Sequence, residues 1–328
     1  MAAVSRCGRG SAGSGSVKKA PKGLEQLATE QPNPASADLD TKSAVEIARI
    51  INAEDAKIAS AVERALPQIA LAIDWIAEAL AGGGRLIYVG TGTSGRIAAL
   101  DAAECPPTFG TDPKRVQFVM AGGRKALSAA AEADEDSAKL GVREIRKKRP
   151  GKKDVVVGIA ASGRTPFTVA AIEWAQRAGA KTIAVTCNPD SPLEVAAHFA
   201  IVVETGAEVV SGSTRMKAGT AEKMILNMLS TGAMVRLGYV YGNLMVNLHQ
   251  KNTKLAERAV MIVQRALRVD RDQARRLLRS TGNSVPTAIV MHAADITKRD
   301  AKTALQSSQG HVRRAIALAA VNRAIPIE

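Results

Sequence analysis

Five short, nearly continuous apolar runs punctuate the middle of the chain: residues 85–89 (RLIYV), 116–120 (VQFVM), 154–160 (DVVVGIA), 182–186 (TIAVT) and 200–203 (AIVV). Runs of this length without alternation read as strands covered on both faces. Ala-rich stretches with helical spacing lie between them, for example 126–145 and 166–179. Strand and helix alternate, which predicts a three-layer αβα sandwich around a parallel five-stranded sheet. Ligands in such folds bind outside the carboxyl ends of the strands. Upstream, 44–51 and 53–81 read as helices, with Pro67 interrupting the second and Gly82, Gly83 and Gly84 ending it. Downstream, 214–237 reads as one long helix. Helices follow near 254–268, 270–280, 285–294 and 301–320, with Gly282, Pro286 and Gly310 at the breaks. The expected organisation is a polar lead over 1–24, an α/β body over 25–253 and a small helical domain over 254–328.

Composition narrows the function. Aromatic residues are only 3% of the chain, too few for a base-stacking surface. The formal charge of +14 sits at the ends. Residues 1–24 carry Arg6, Arg9, Lys18, Lys19 and Lys22 with no acid, and residues 257–328 carry 13 basic and 6 acidic groups. The rest holds 27 basic and 25 acidic groups, so the basic ends read as solvated surface and no specific nucleic-acid partner is expected. Cys7, Cys105 and Cys187 lie far apart, and the four histidines lack metal-ligand spacing, which points to a reducing cytoplasm and no metal. No apolar run is long enough to span a membrane, and the lead reads as a disordered extension without the apolar segment of a secretory signal.

Two loops carry the candidate chemistry. Gly90-Thr91-Gly92-Thr93-Ser94-Gly95-Arg96 follows the first strand and opens a helix. Its glycines fit the dinucleotide spacing, but the second strand lacks the acidic residue that a dinucleotide ribose requires. Ala161-Ser162-Gly163-Arg164-Thr165-Pro166 follows the third strand in the same way. Each alone reads equally well as a turn with a serine cap. Together, with hydroxyls, helix-start amides and an arginine in both, they read as a phosphate cage.

The first loop, AASGRTP, DAAECPPTFG (101–110) and GSTRMKAGTAEKMILNMLSTGAMVRLG (212–238) resemble the N-acetylmuramic acid 6-phosphate etherase family. So do TEQPNPASADLD (29–40) and YGNLMV (241–246). The likeness spans roughly 25–320. It implies a sugar isomerase (SIS) type fold, a homodimer, no cofactor, and a small ubiquitin-associated-like bundle at the C-terminal end. The implied reaction cleaves the ether of N-acetylmuramic acid 6-phosphate to N-acetylglucosamine 6-phosphate and D-lactate, in cell-wall sugar recycling or catabolism.

The resemblance also assigns roles. Glu104 matches the family's acid at the lactyl oxygen and Glu135 its base at C2. As the end of its helix among apolar neighbours, Glu104 is expected to have a raised pKa. The match at Glu135 is less clean, since EADEDS stands where the family pattern has EGAEDS. Asn247 replaces the Asp that usually follows NLMV. The expected substrate contacts are Thr93, Ser94, Gly95, Arg96, Ser162, Gly163, Arg164 and Thr165. Arg215 and Lys217 fit an anionic substrate group or interface salt bridges equally well, and Cys105 reads as packing. A sugar-phosphate isomerase or a non-catalytic sugar-phosphate sensor would use the same loops. The pair of glutamates favours the etherase.

Overall fold

A computed structural model describes residues 23–129, 132–248 and 253–324; the first 22 residues of the expected lead lie outside them. Three helices, α1 (Ala44–Asp55), α2 (Ile58–Glu63) and α3 (Leu66–Ala81), precede the first strand, β1 (Leu86–Gly90). Then follow α4 (Gly92–Phe109), β2 (Val116–Met120), the single turn α5 (Glu132–Glu135), α6 (Ala138–Lys148) and β3 (Val155–Ile159). After these come α7 (Pro166–Arg177), β4 (Lys181–Thr186), α8 (Pro192–Ala196) and β5 (Phe199–Val202). The long α9 (Lys217–Arg236) leads into a hairpin, β6 (Val240–Tyr241) and β7 (Leu244–Met245). The chain then forms α10 (Thr253–Leu267), α11 (Arg271–Thr281), α12 (Val285–Ala293), α13 (Lys298–Ser307) and α14 (Val312–Ala324).

The sheet runs β2-β1-β3-β4-β5 with every pair parallel, as the apolar runs predict. Alternate side chains of β1 enter different cores. Leu86 and Tyr88 pack with α3, α4 and α9; Ile87 and Val89 pack with α6, α7 and α8. Arg85 ties the starts of the two central strands, its Nε donating to Asp154 Oδ1 at 3.1 Å and its Nη2 to Oδ2 at 2.7 Å.

The helical boundaries depart from expectation for local reasons. Pro67 begins α3 instead of interrupting a helix, because its missing N–H costs nothing in a first turn. The stretch 126–145 is not one helix. A 3-10 turn at Gly123–Leu127 and α5 come before α6, which Ser137 starts by accepting a bond from the Leu140 amide at 3.2 Å. The long helix begins at Lys217, not at 214. Buried Glu208 accepts from the Lys217 and Ala218 amides at 2.9 Å each and fixes that start. The last expected helix splits into α13 and α14 around Gly310 (φ 86°), so five C-terminal helices are described. These helices have their own core, with Val263, Leu278, Ile289 and Ala301 at its centre. Val246 and Leu248, just past the unforeseen hairpin, are buried in it as well.

One close contact sets the spacing of the α6–α7 layer. Gly141 of α6 lies so near the backbone of Phe167, at the start of α7, that an added methyl would collide with the Phe167 carbonyl. Backbone cannot give way as a side-chain tip can. Gly141→Ala is expected to lower unfolding free energy by about 1–3 kcal/mol, measured by urea denaturation.

Candidate active site

Strands β1 and β3 are neighbours, with Gly90 opposite Ile159, so the two serine-rich loops leave the sheet side by side. From β1 the chain enters α4 and goes on to β2; from β3 it enters α7 and goes on to β4. The two helices lie on opposite faces of the sheet. The crevice between the loops is the topological switch point of the sheet, where open α/β sheets bind ligands.

Each loop is shaped by its glycines. Gly163 has φ 66°, and a side chain there would run into Ser191 and Thr186. Gly95 lets α4 lie against β1, since a Cβ would stand 3.0 Å from the Gly90 carbonyl oxygen. Its part is packing, beneath the amides that open α4. Those of Gly92, Thr93 and Ser94 precede the first α-helical bond, Gly95 N to Thr91 O at 2.9 Å, and remain for an anion. In the second loop the Ser162 hydroxyl accepts from the Arg164 amide at 3.2 Å, and Thr165 is the cap residue before Pro166. Ser162, Arg164 and Thr165 are all half-buried at this edge.

Glu135 stands on the first loop. The Thr91 hydroxyl donates to its Oε2 at 3.0 Å, and its Oε1 lies 3.1 Å from where a Gly92 side chain would begin. Thr93 closes the next side, its methyl 3.3 Å from the Cβ position of Gly219 in the first turn of α9. Arg96 turns away: its guanidinium donates to the Ala129 carbonyl at 3.0 Å, tying α4 to the segment that leads to Glu135. Arg215 is exposed in the turn before α9.

Lys217 corrects the expectation of an anion grip. It is 2% exposed and its ammonium donates to Glu54 Oε2 at 2.6 Å, an ion pair within the chain. Burial works against the Glu54 charge, but hydrogen bonds from Lys217, Lys57 and Asn33 overcome it and hold the carboxyl at about 2.

Glu104 is also placed differently from expectation. It does not end its helix, because α4 continues through Pro106 and Pro107 to Phe109. Glu104 is exposed and lines a cleft of about 250 Å³ with Asp101, Lys223, Asn227 and Thr231. It lies twelve residues beyond Gly92 on one helix, about 18 Å along the axis at 1.5 Å per residue. One chain therefore does not bring Glu104 and Glu135 together. The neighbouring Cys105 is buried, and burial with the nearby Asp101 pushes its thiol up to about 12, in keeping with a packing role.

Sequence reasoning missed the buried carboxyls. Asp101 accepts from the Tyr88 and Ser230 hydroxyls, both at 2.9 Å, locking α4 to β1 and α9. Burial raises its pKa to about 6 against the pull of those two bonds. Glu222 of α9 is 1% exposed, and its Oε1 lies 2.9 Å from the Ser94 hydroxyl oxygen. The only signal in the sequence was position: Glu222 falls on the stripe of Ala218, Ile225 and Leu229 that α9 buries.

A glucokinase regulatory protein N-terminal SIS domain matches residues 68–176, and a SIS domain matches residues 148–232. N-acetylmuramic acid 6-phosphate etherase from Photorhabdus laumondii is 50% identical over 293 residues, covering 89% of this chain and 97% of that protein. An etherase of the same description from Vibrio parahaemolyticus is 48% identical, with 89% and 98% covered. One from Clostridium botulinum is 48% identical, with 89% and 97% covered. With identity at this level over nearly the whole of each relative, the chain belongs to the N-acetylmuramic acid 6-phosphate etherase family.

Proposed function

We propose that this chain cleaves the lactyl ether of N-acetylmuramic acid 6-phosphate, releasing D-lactate and N-acetylglucosamine 6-phosphate. The observation that carries the reading is the carboxyl of Glu135, which accepts from the Thr91 hydroxyl at the start of α4. The 6-phosphate sits on the amides of Gly92, Thr93 and Ser94 and on Ser162 and Thr165. In the ring-opened sugar C2 lies beside the C1 aldehyde, and Glu135 removes its proton to give an enolate-like state. An acid then protonates the oxygen on C3 as lactate leaves. Water adds to C3 of the unsaturated aldehyde, and the ring closes. Such a cycle suits a cytoplasmic enzyme that recovers or degrades cell-wall sugars.

The acid, Glu104, comes from a second copy in this reading. C2 and C3 are bonded to each other, so base and acid must reach adjacent atoms, which a separation of about 18 Å along α4 forbids within one chain. An apolar groove of about 620 Å³ between α3 and α9, with Leu66, Ile73, Met224 and Met228 in its walls, gives a second copy somewhere to dock. It runs into the Glu104 cleft through the shared Lys223, Asn227 and Thr231. A twofold dimer on this face carries each Glu104 toward the partner's loops and makes two equivalent sites.

Two experiments check the proposal. Purified protein is expected to release D-lactate from N-acetylmuramic acid 6-phosphate, read by a coupled lactate assay. The sugar without phosphate should lose at least ~10³-fold in kcat/KM, because several charge-assisted hydrogen bonds of roughly 1.5–3 kcal/mol each are forfeited. Equal turnover of the two sugars contradicts the phosphate cage. In the second experiment Glu104→Gln and Glu135→Gln are each expected to cost at least ~10²-fold alone. Unfolded and refolded together in equal amounts, they should recover about a quarter of wild-type activity, since half the dimers are mixed and each mixed dimer holds one intact site. No recovery in proven mixed dimers would place both groups in one chain.

A further inference from the structure

Glu222 lies behind the phosphate loop, and the etherase chemistry gives it no task. We propose that it is a positioning residue: in its neutral form it donates a hydrogen bond to Ser94 Oγ and so directs the Ser94 proton at the bound phosphate. The proposal rests on the reading that the loop opening α4 holds the phosphate.

The argument starts from hydroxyl bookkeeping. Ser94 Oγ and Glu222 Oε1 are 2.9 Å apart, and both residues are buried. A serine hydroxyl has a single proton. An ionised carboxylate only accepts, so beside it Ser94 must spend that proton inward and present lone pairs to the phosphate. A neutral carboxyl has a proton of its own to give, and the serine proton is then released outward. Ionisation also puts a second negative charge behind the site, in surroundings where charge is poorly screened. Both effects oppose anion binding, and both act on binding rather than on the proton transfers at C2 and C3.

The surroundings favour the neutral form. Burial pushes the Glu222 carboxyl up; the Ser94 bond lowers it and Glu208 raises it, leaving it at about 8. Glu208 holds the α9 amides, and Asp55 acts on it in turn. Just past the end of β4 the Cys187 thiol is close enough to Glu222 to be raised by it, after the larger effect of burial. On α9 itself, Lys217 is neutralised by Glu54 of α1. Lys223 points to the groove with α3. From α4, Asp101 faces α9 two turns further along, at Ser230. From α2 and α3, Ala61, Val62, Ile69 and Ile76 share the apolar core with α9, and Asp74 of α3 pairs with Arg236 at the far end of α9. Glu222 is therefore neutral below about pH 8, and the favourable Ser94 orientation is present there and lost as pH rises through that value. By reciprocity a bound phosphate raises the pKa of Glu222 further.

The test is calorimetric binding of N-acetylglucosamine 6-phosphate to the full chain at pH 7, 8 and 9 and fixed ionic strength. A phosphate monoester with its second pKa near ~6 keeps a constant charge over that range. The dissociation constant of wild type is expected to rise about tenfold between pH 7 and pH 9, as the neutral fraction falls to about a tenth. In Glu222→Gln, whose amide donates at every pH, the same ratio should stay below about twofold. A flat wild-type profile, or an equal fall in the Gln variant, overturns the proposal and leaves the phosphate loop standing. Absence of binding at every pH overturns the phosphate loop itself. Wild type alone supplies a check that needs no variant. The infrared carbonyl stretch of a protonated carboxylic acid should be present at pH 7 and bleach near pH 8, and sugar phosphate should carry that bleach to higher pH. A stretch that bleaches below pH 6 contradicts the proposal.

Discussion

Strands β1 and β3 run side by side but send their chains to opposite faces of the sheet. Right-handed crossovers demand this, since one leads toward β2 and the other toward β4. The two helix starts consequently flank a gap that no crossover spans. Everything proposed for the site depends on that gap: two sets of loop hydroxyls, free amides at the head of α4, and room for an anion between them. The close contact of Gly90 and Gly95 keeps α4 tight against the sheet, so its amides open at the edge of the sheet and not above it.

Around this gap the protein buries an unusual set of acids on or against α9. Glu54 pairs with Lys217 and Lys57, Glu208 caps the helix, and Glu222 meets Ser94. Each solves the cost of burial differently: by a counter-charge, by backbone amides, or by remaining protonated. Their common effect is to fix where α9 begins. Thr93 of the first loop packs on that same turn, at Gly219, so a shift of the α9 start would reach the loop proposed to hold the phosphate directly.

The sheet and its edge were legible in the sequence because uninterrupted apolar runs and Gly-rich turns leave a direct trace. Helix boundaries were less so. Pro67 lies in the first turn of a helix but looks like an interruption when only periodicity is read, and Ser137 caps a helix start inside a stretch that reads as continuous. The hairpin at 240–245 is two residues a side, below any pattern. Motif and chain order singled out Thr93, Ser94, Ser162 and Glu135, and the fold brings these four to one edge of the sheet. They did not convey distance along α4. Glu104 is near the loop in sequence, but a helix makes twelve residues into a rigid separation. The inward turn of Lys217 and Glu222 was hidden for a related reason. A charged residue on an apolar stripe has no visible partner until the tertiary fold supplies Glu54 or Ser94.

The Arg85–Asp154 ion pair joins groups 69 residues apart in sequence, and it marks where β1 and β3 first align. That pairing is among the costliest contacts in the sheet to form, because β2, α4 and α6 all lie inside the loop it closes. The crevice has no precursor in any local segment. Neither loop is a binding site before the two strands zip, so a nascent or partly folded chain is blind to its ligand. A ligand held between the loops would stabilise only chains in which these two strands have already paired.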